Sequence, residues 1–98
     1  MTYRSRKLLN AAKNAPRCFS CGRHNDGTVV MAHANWHEYG KGGALKAHDW
    51  AIAALCSECH AAIDQGAHMS KEEPKESWVR AHVRTLAWLF DAGILGVL

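Results

Sequence analysis

Four cysteines in two close pairs constrain this chain more than any other feature of its sequence. They fall as Cys18-x2-Cys21 and Cys56-x2-Cys59. A spacing of this kind brings two thiolates to one ion, and two such pairs complete a tetrahedral zinc site with four sulfur ligands. The pattern therefore predicts one structural Zn2+ that ties the first third of the chain to its middle.

Two other uses of the cysteines compete with zinc. Residues 1–7 do not resemble a secretory signal, so we expect a cytoplasmic protein whose thiols stay reduced. A redox Cys-x-x-Cys needs only one pair in a thioredoxin-like setting, and four buried free thiols are the second alternative. Zinc is favoured because 98 residues are few for a self-supporting core, and metal binding adds to folding free energy in small domains.

Charge is distributed unevenly along the chain. Residues 1–46 carry eight Lys and Arg and two acidic residues, a net charge of +6. Residues 47–98 carry four Lys and Arg and seven acidic residues, a net charge of −3, so the overall net charge is +3. A basic N-terminal half favours contact with phosphate, although a solvated basic helix is the alternative. No apolar run reaches the roughly 18 residues of a membrane span, so we expect no membrane partner.

Hydrophobic periodicity predicts a small α+β fold in one domain, residues 1–98. We expect a helix over 4–14, strands over 28–33 and 50–55, a helix from the second cysteine pair to about Gly66, and a long C-terminal helix. The alanines of 50–55 leave a helix as an alternative there. Ser57 and Ser70 are the expected N-caps of the last two helices, and Gly93 is the expected end of the last one.

The long C-terminal helix carries an apolar stripe at helical spacing. Val79, Val83, Leu86 and Phe90 recur every three or four residues, joined by Trp78, Leu89 and Trp88. This stripe predicts a core-facing surface or the seam of a homodimer formed through the helix.

Three polar residues suggest chemistry within this frame. His33 ends the first predicted strand, and His60 and Asp64 lie four apart on one face of the following helix. An imidazole and a carboxylate on one face can hold a divalent ion, while His33 can act as a general base near neutral pH. Each histidine alone is more often structural than catalytic, but the set together favours a site.

The same residues resemble a known family. The matching pattern comprises Cys18-x2-Cys21, Val30-Met31-Ala32-His33 and Cys56-Ser57-x-Cys59-His60-x-x-Ile63-Asp64-x-x-x-His68. It is similar to the zinc-stapled HNH (ββα-metal) endonucleases and, more narrowly, to the small prophage-encoded nucleases of the YbcO type. The resemblance implies a ββα-metal fold, a catalytic divalent ion such as Mg2+ or Mn2+, and hydrolysis of phosphodiester bonds in nucleic acid. DNA processing or recombination in phage or prophage is the implied setting.

The chain departs from the HNH pattern at two positions. The residue before the base histidine is usually a metal ligand, and here it is Ala32. The central asparagine has no clear counterpart; Asp49 is the first candidate for this catalytic position, with Asn35 or His48 as substitutes. These departures imply weak activity, recruitment of another ligand such as Asp49, or loss of activity.

A non-catalytic, zinc-stabilised module that binds nucleic acid is the alternative function. The expected phosphate contacts under either function are Arg4, Arg6, Lys7, Lys41 and Lys46. Trp36 and Tyr39 are candidates for stacking on bases. A second, exchangeable metal site would distinguish the nuclease from the binding module.

Overall fold

A computed structural model describes residues 2–66 and 69–97. Within these ranges the chain forms three α-helices and one two-stranded sheet. In chain order the elements are α1 (Arg6–Ala12), β1 (Val30–His33), a 3-10 turn (His37–Tyr39), β2 (Ile52–Leu55), α2 (Ser57–Gln65) and α3 (Glu73–Asp91). The predicted small α+β class is confirmed, and a helix at residues 50–55 is wrong. Within the described ranges, no helix combines the length and apolarity that a membrane crossing requires.

The strands β1 and β2 pair antiparallel and place His33 at the end of the hairpin. Val30 lies opposite Leu55 and His33 opposite Ile52. The hairpin is shorter than predicted at its start, because the backbone N–H and the hydroxyl of Thr28 both donate to Asp26 Oδ1, at 3.1 and 2.6 Å. This local turn holds residue 28 outside the strand ladder.

The outer edge of β2 is covered by polar groups of other elements. The Ala54 N–H donates to Thr85 Oγ1 at 3.0 Å, and the Ala54 carbonyl accepts from the Phe19 N–H at 2.9 Å. His82 Nδ1 donates to the Ile52 carbonyl at 2.6 Å. All four residues of β2 are buried, so these bonds satisfy backbone groups that would otherwise be unpaired away from water.

This arrangement corrects the predicted face of α3. The helix buries Trp78, Ala81, His82, Thr85 and Leu89. Val83 and Phe90 are instead 57% and 56% exposed. Trp78 and Leu89 of the predicted stripe are buried, but β2 also requires the polar side chains of His82 and Thr85 on the buried face, and Val83 and Phe90 face solvent. The homodimer expected through this helix stays a prediction.

Two helix starts also differ from prediction. Cys56 is the N-cap of α2 and Ser57 its first residue. Glu72 is the N-cap of α3, with Pro74 in the first turn, so Ser70 lies outside the helix. At the other end the expectation for Gly93 holds, with the residue at φ +75°. The Gly93 N–H donates to the Phe90 carbonyl at 3.1 Å and the Ile94 N–H donates to the Leu89 carbonyl at 2.9 Å, which is a Schellman termination.

Candidate active site and metal centre

The four cysteines converge into one cluster. Their Sγ atoms all lie within 4.8 Å of one another, and the Sγ atoms of Cys21 and Cys56 are 3.8 Å apart. Zinc–sulfur bonds of about 2.3 Å in a tetrahedron place sulfurs about 3.8 Å from each other. The donor set and its spacing therefore fit a structural metal ion such as zinc.

Local backbone geometry prepares the first cysteine pair as a ligand. The N–H groups of Ser20 and Cys21 point at Cys18 Sγ, at 3.4 and 3.5 Å. Burial acts to raise the pKa of the Cys18 thiol, but hydrogen bonds from backbone N–H groups outweigh it and lower the pKa to about 7. Burial and the neighbouring cysteines raise the pKa of Cys59. Four thiolates at this distance repel one another, so a cation among them stabilises the cluster.

A second group of polar residues forms at the end of β1. His33 Nε2 lies 2.9 Å from Oδ1 of Asp49, which is 3% exposed. The second carboxylate oxygen accepts from the Ser5 N–H at 2.8 Å, and Arg4 Nη1 lies 3.2 Å from Oδ1. Burial acts to raise the pKa of Asp49, but the hydrogen bonds from His33 and Ser5 and the nearby positive charge hold it below its ordinary value. Asp49 is therefore a buried carboxylate fixed by three donors.

The N-terminal arm, residues 2–5, supports this carboxylate. Arg4 also donates to the carbonyls of Ala47 and Lys46, the latter at 2.7 Å. The Asp49 N–H donates to the Tyr3 carbonyl at 3.0 Å. The arm is thus attached to the loop that precedes β2, and the Arg4 guanidinium is largely occupied by contacts within the protein.

A third polar group lies on α2. His60 Nε2 is 3.1 Å from Asp64 Oδ2, one helical turn apart, and both side chains are partly exposed. Asn35 Nδ2 donates to Asp64 Oδ1 at 3.3 Å. Ala34 is buried between the partly exposed His33 and the exposed Asn35, and its N–H donates to the Ala51 carbonyl at 3.0 Å. Asn35, two residues beyond the end of β1, therefore joins this segment to the His60–Asp64 pair.

The two pairs do not merge into one ligand cluster. Among residues 2–66 and 69–97, the four cysteines are the only group of three or more metal-ligating side chains with all ligand atoms within 4.8 Å. Ala32 is buried and offers no ligand. The His60–Asp64 pair provides the nitrogen and oxygen donors that suit a divalent ion and leaves solvent-facing positions open. His68, part of the family-like pattern, lies outside the described residues.

The three candidates for the missing asparagine have different surroundings. Asp49 contacts His33, and Asn35 contacts Asp64. His48 Nδ1 accepts from the Tyr3 N–H at 2.9 Å, and its ring stacks on Trp50 with centroids 5.4 Å apart. His48 is therefore occupied by other contacts.

Comparison with known families identifies the chain. A family model described as "Putative nuclease YbcO" matches residues 6–94. The chain belongs to the YbcO family. The matched range contains all four cysteines and every helix and strand given above. No curated protein and no solved structure matches the chain.

The basic residues expected to contact nucleic acid lie on different surfaces of this YbcO family member. Arg4, Arg6 and Lys46 line one cleft together with Asp49. Lys7 lines a separate surface beside Ile94. Lys41 donates from Nζ to the Gly43 carbonyl at 3.0 Å.

Sequence reasoning missed one further cation in that cleft. Lys13 lines it together with Arg6, from which it is seven residues away. Seven residues make two helical turns, so this spacing places both side chains on one face and could have revealed the pair.

The aromatic residues proposed for base stacking belong mainly to the packing of α3. The rings of Trp36 and Tyr39 lie 5.7 and 5.0 Å from that of Trp78, which is buried. Both are partly buried rather than fully exposed. These contacts indicate that Trp36 and Tyr39 pack against the core.

Proposed function

We propose that this protein is a metal-dependent endonuclease of the HNH type that hydrolyses phosphodiester bonds in DNA. The observation that carries the proposal is the hydrogen bond between His33, at the end of β1, and the buried Asp49. Asn35, two residues after His33, contacts the His60–Asp64 pair on α2. The order β1–β2–α2 and the nuclease description of the family support the same function.

His33 is the proposed general base. Its Nε2 faces a carboxylate oxygen, which can only accept, so Nε2 carries the proton and Nδ1 remains free to receive one. At Nδ1 the ring takes a proton from the water that attacks the phosphorus. Asp49 acts as a positioning residue because it fixes both the tautomer and the orientation of the imidazole.

His60 and Asp64 are the proposed ligands of the catalytic ion. A divalent ion such as Mg2+ or Mn2+ supplies, when bound, positive charge that offsets charge developing on the phosphate and the leaving oxygen. Asn35 holds the Asp64 carboxylate by its amide N–H. With Ala32 in place of a third ligand, two protein ligands hold the ion weakly, and activity depends on its concentration.

The four cysteines and the basic residues complete the proposal. Zinc at Cys18, Cys21, Cys56 and Cys59 fixes the start of α2 to the N-terminal third of the chain. Basic side chains near His33 and Asp49 contact the DNA backbone. The proposed setting is DNA processing or recombination in phage or prophage, in the cytoplasm.

The test is cleavage of supercoiled plasmid and branched DNA with Mg2+, Mn2+, Ni2+ and Zn2+ in turn. A positioned general base contributes about 10²–10⁴-fold in rate, so His33→Ala should lose most cleavage while zinc content and circular dichroism stay unchanged. His37→Ala is the matched control, because the His37 side chain is 94% exposed. Equal cleavage by His33→Ala and the parent would overturn the proposal. A clean parent that cuts with none of the ions would favour the non-catalytic, zinc-stabilised nucleic-acid-binding module.

A further inference from the structure

A cleft of about 370 Å³ lies between the N-terminal arm, α1 and the loop that precedes β2. We name it the basic cleft. Its charged lining residues are Arg4, Arg6, Lys13, Lys46 and Asp49. The cleft is within the size range of small ligand sites, so it can hold a phosphate group and part of the attached sugar.

The charges of the basic cleft favour an anion. Its lining carries four cations and one carboxylate, and that carboxylate is already paired with Arg4. Arg6, Lys13 and Lys46 are exposed, and within residues 2–66 and 69–97 they form no salt bridge. Like charges that share a cleft repel one another, and an anion among them relieves that repulsion.

The basic cleft adjoins the His33–Asp49 pair through a shared residue. Asp49 lines the cleft and also accepts the hydrogen bond from His33. Arg4 lies against the same carboxylate and offsets its negative charge toward an approaching phosphate. An anion in the cleft is therefore one side chain away from the imidazole.

We propose that the basic cleft binds backbone phosphates of the DNA strand on one side of the bond to be cut. This inference rests on the proposed function and adds the path of the substrate. The three free cations bind phosphates without reading bases, so the contribution is independent of sequence. Arg4 acts mainly through Asp49, and Lys7 and Lys41 lie outside the cleft.

Binding by the His33→Ala protein separates this proposal from catalysis. The cleft variant adds Arg6→Gln, Lys13→Gln and Lys46→Gln to the His33→Ala protein. A control combines Arg17→Gln, Lys71→Gln and Arg80→Gln, three exposed cations outside the cleft, and changes the net charge by the same amount. Fluorescence anisotropy with a short labelled DNA duplex, and with one of its strands, gives affinity at a series of salt concentrations.

Loss of cleft contacts should flatten the salt dependence. Each phosphate contact contributes about 0.9 to the slope of log affinity against log salt for a duplex, so three lost contacts reduce it by about 2.7. The control should keep the parent slope. Equal slopes for the cleft variant and the control, or no binding of either probe at low salt, would overturn the proposal.

Neutral methylphosphonate linkages locate the contacts along the strand. The linkages are placed one at a time. At consecutive positions on one side of the cleavage point, each should weaken binding of the His33→Ala protein. At the same positions they should leave the affinity of the cleft variant unchanged. Sensitivity that persists in the cleft variant would place those phosphates elsewhere and contradict the proposal. If the parent binds with the expected slope but does not cleave, the proposed nuclease function fails while the basic cleft remains supported by the salt dependence.

Discussion

His33 Nε2 lies 2.9 Å from Asp49 Oδ1, although neither residue has the other as a neighbour in sequence. The hairpin register produces this proximity, because His33 pairs with Ile52 and Asp49 enters the turn just before that strand. Ser5 and Arg4 hold the same carboxylate from the N-terminal arm. Folding of residues 2–5 therefore supports the orientation of the proposed base.

Asp49→Asn should reduce cleavage while the zinc site stays intact. An amide offers one acceptor oxygen, so either His33 or the Ser5 N–H loses its partner. We expect kcat to fall at least tenfold, with little change in KM. The upper limit is the whole contribution of a positioned base, about 10²–10⁴-fold. Steady-state kinetics beside Asp91→Asn, an exposed carboxylate on α3, checks this. An unchanged kcat would mean that Asp49 only stabilises the fold.

His60→Ala should raise the divalent-ion concentration needed for half-maximal cleavage. Substitution of a residue that only supports a metal ligand lowers metal affinity by about 10–100-fold. Loss of a proposed ligand should therefore lower the affinity for the ion at least tenfold. Saturating ion should recover part of the rate. Gln65→Ala, at the exposed end of the same helix, is the control and should follow the parent titration. Coincident titrations of His60→Ala and the parent would place the ion elsewhere.

The metal cluster and the strand–strand–helix order could be predicted because local patterns determine them. Each cysteine pair is a short-range chelate, the β-branched residues of the first apolar run indicate a strand, and the shortness of the second run favours one. The same reasoning placed His33 at a strand end and His60 with Asp64 on one helix face, and the structure has both arrangements.

The long-range polar contacts of Arg4, His82 and Thr85 could not be predicted in the same way. Arg4 reads in sequence as a free cation, but it bonds a carboxylate 45 residues away and the distant backbone carbonyls of Lys46 and Ala47. His82 and Thr85 read as the solvent side of α3, but they satisfy the outer edge of β2. In both cases a buried polar group needed a partner, and periodicity carries no information about that need.

Cys56→Ser should remove zinc and prevent folding. Cys56 links the end of β2 to the start of α2, and its sulfur lies 3.8 Å from that of Cys21. Because metal binding is part of the folding free energy in small zinc domains, we expect a protein without stoichiometric zinc that is unfolded or aggregated. Elemental analysis with circular dichroism tests this. Ser20→Ala, in the turn of the first cysteine pair, should retain zinc; a folded, zinc-free Cys56→Ser protein would contradict the assignment.

Thr85→Val should destabilise the fold without a change of side-chain size. Thr85 Oγ1 accepts from the Ala54 N–H at 3.0 Å and donates to the Ala81 carbonyl at 2.7 Å, and the residue is fully buried. Leaving that N–H unsatisfied costs about 1–3 kcal/mol. Urea unfolding followed by tryptophan fluorescence measures the loss. Val83→Thr, the reverse change at an exposed position two residues away, should stay within about 0.5 kcal/mol of the parent, and equal stabilities of all three proteins would rule out the edge-covering role.

Acid should remove the stabilisation that Asp49 provides. Its pKa in the folded protein lies below the ordinary value of about 3.9, so between the two values the unfolded chain binds more protons and the free energy of unfolding rises with pH. The contribution is complete above the unfolded-state pKa and is lost as pH falls through the folded-state pKa.

The difference between parent and Asp49→Asn measures this term. Acid also protonates the cysteine thiolates and weakens zinc binding in both proteins, so only the difference in their free energies of unfolding is informative. That difference should be constant near neutral pH and should narrow as pH falls below about 4, where Asp49 of the unfolded chain begins to bind its proton. Asp91→Asn should instead run parallel to the parent, since its exposed carboxylate forms no salt bridge within residues 2–66 and 69–97. A parent and an Asp49→Asn protein with parallel pH profiles would show that the carboxylate gains no stability from His33, Ser5 and Arg4.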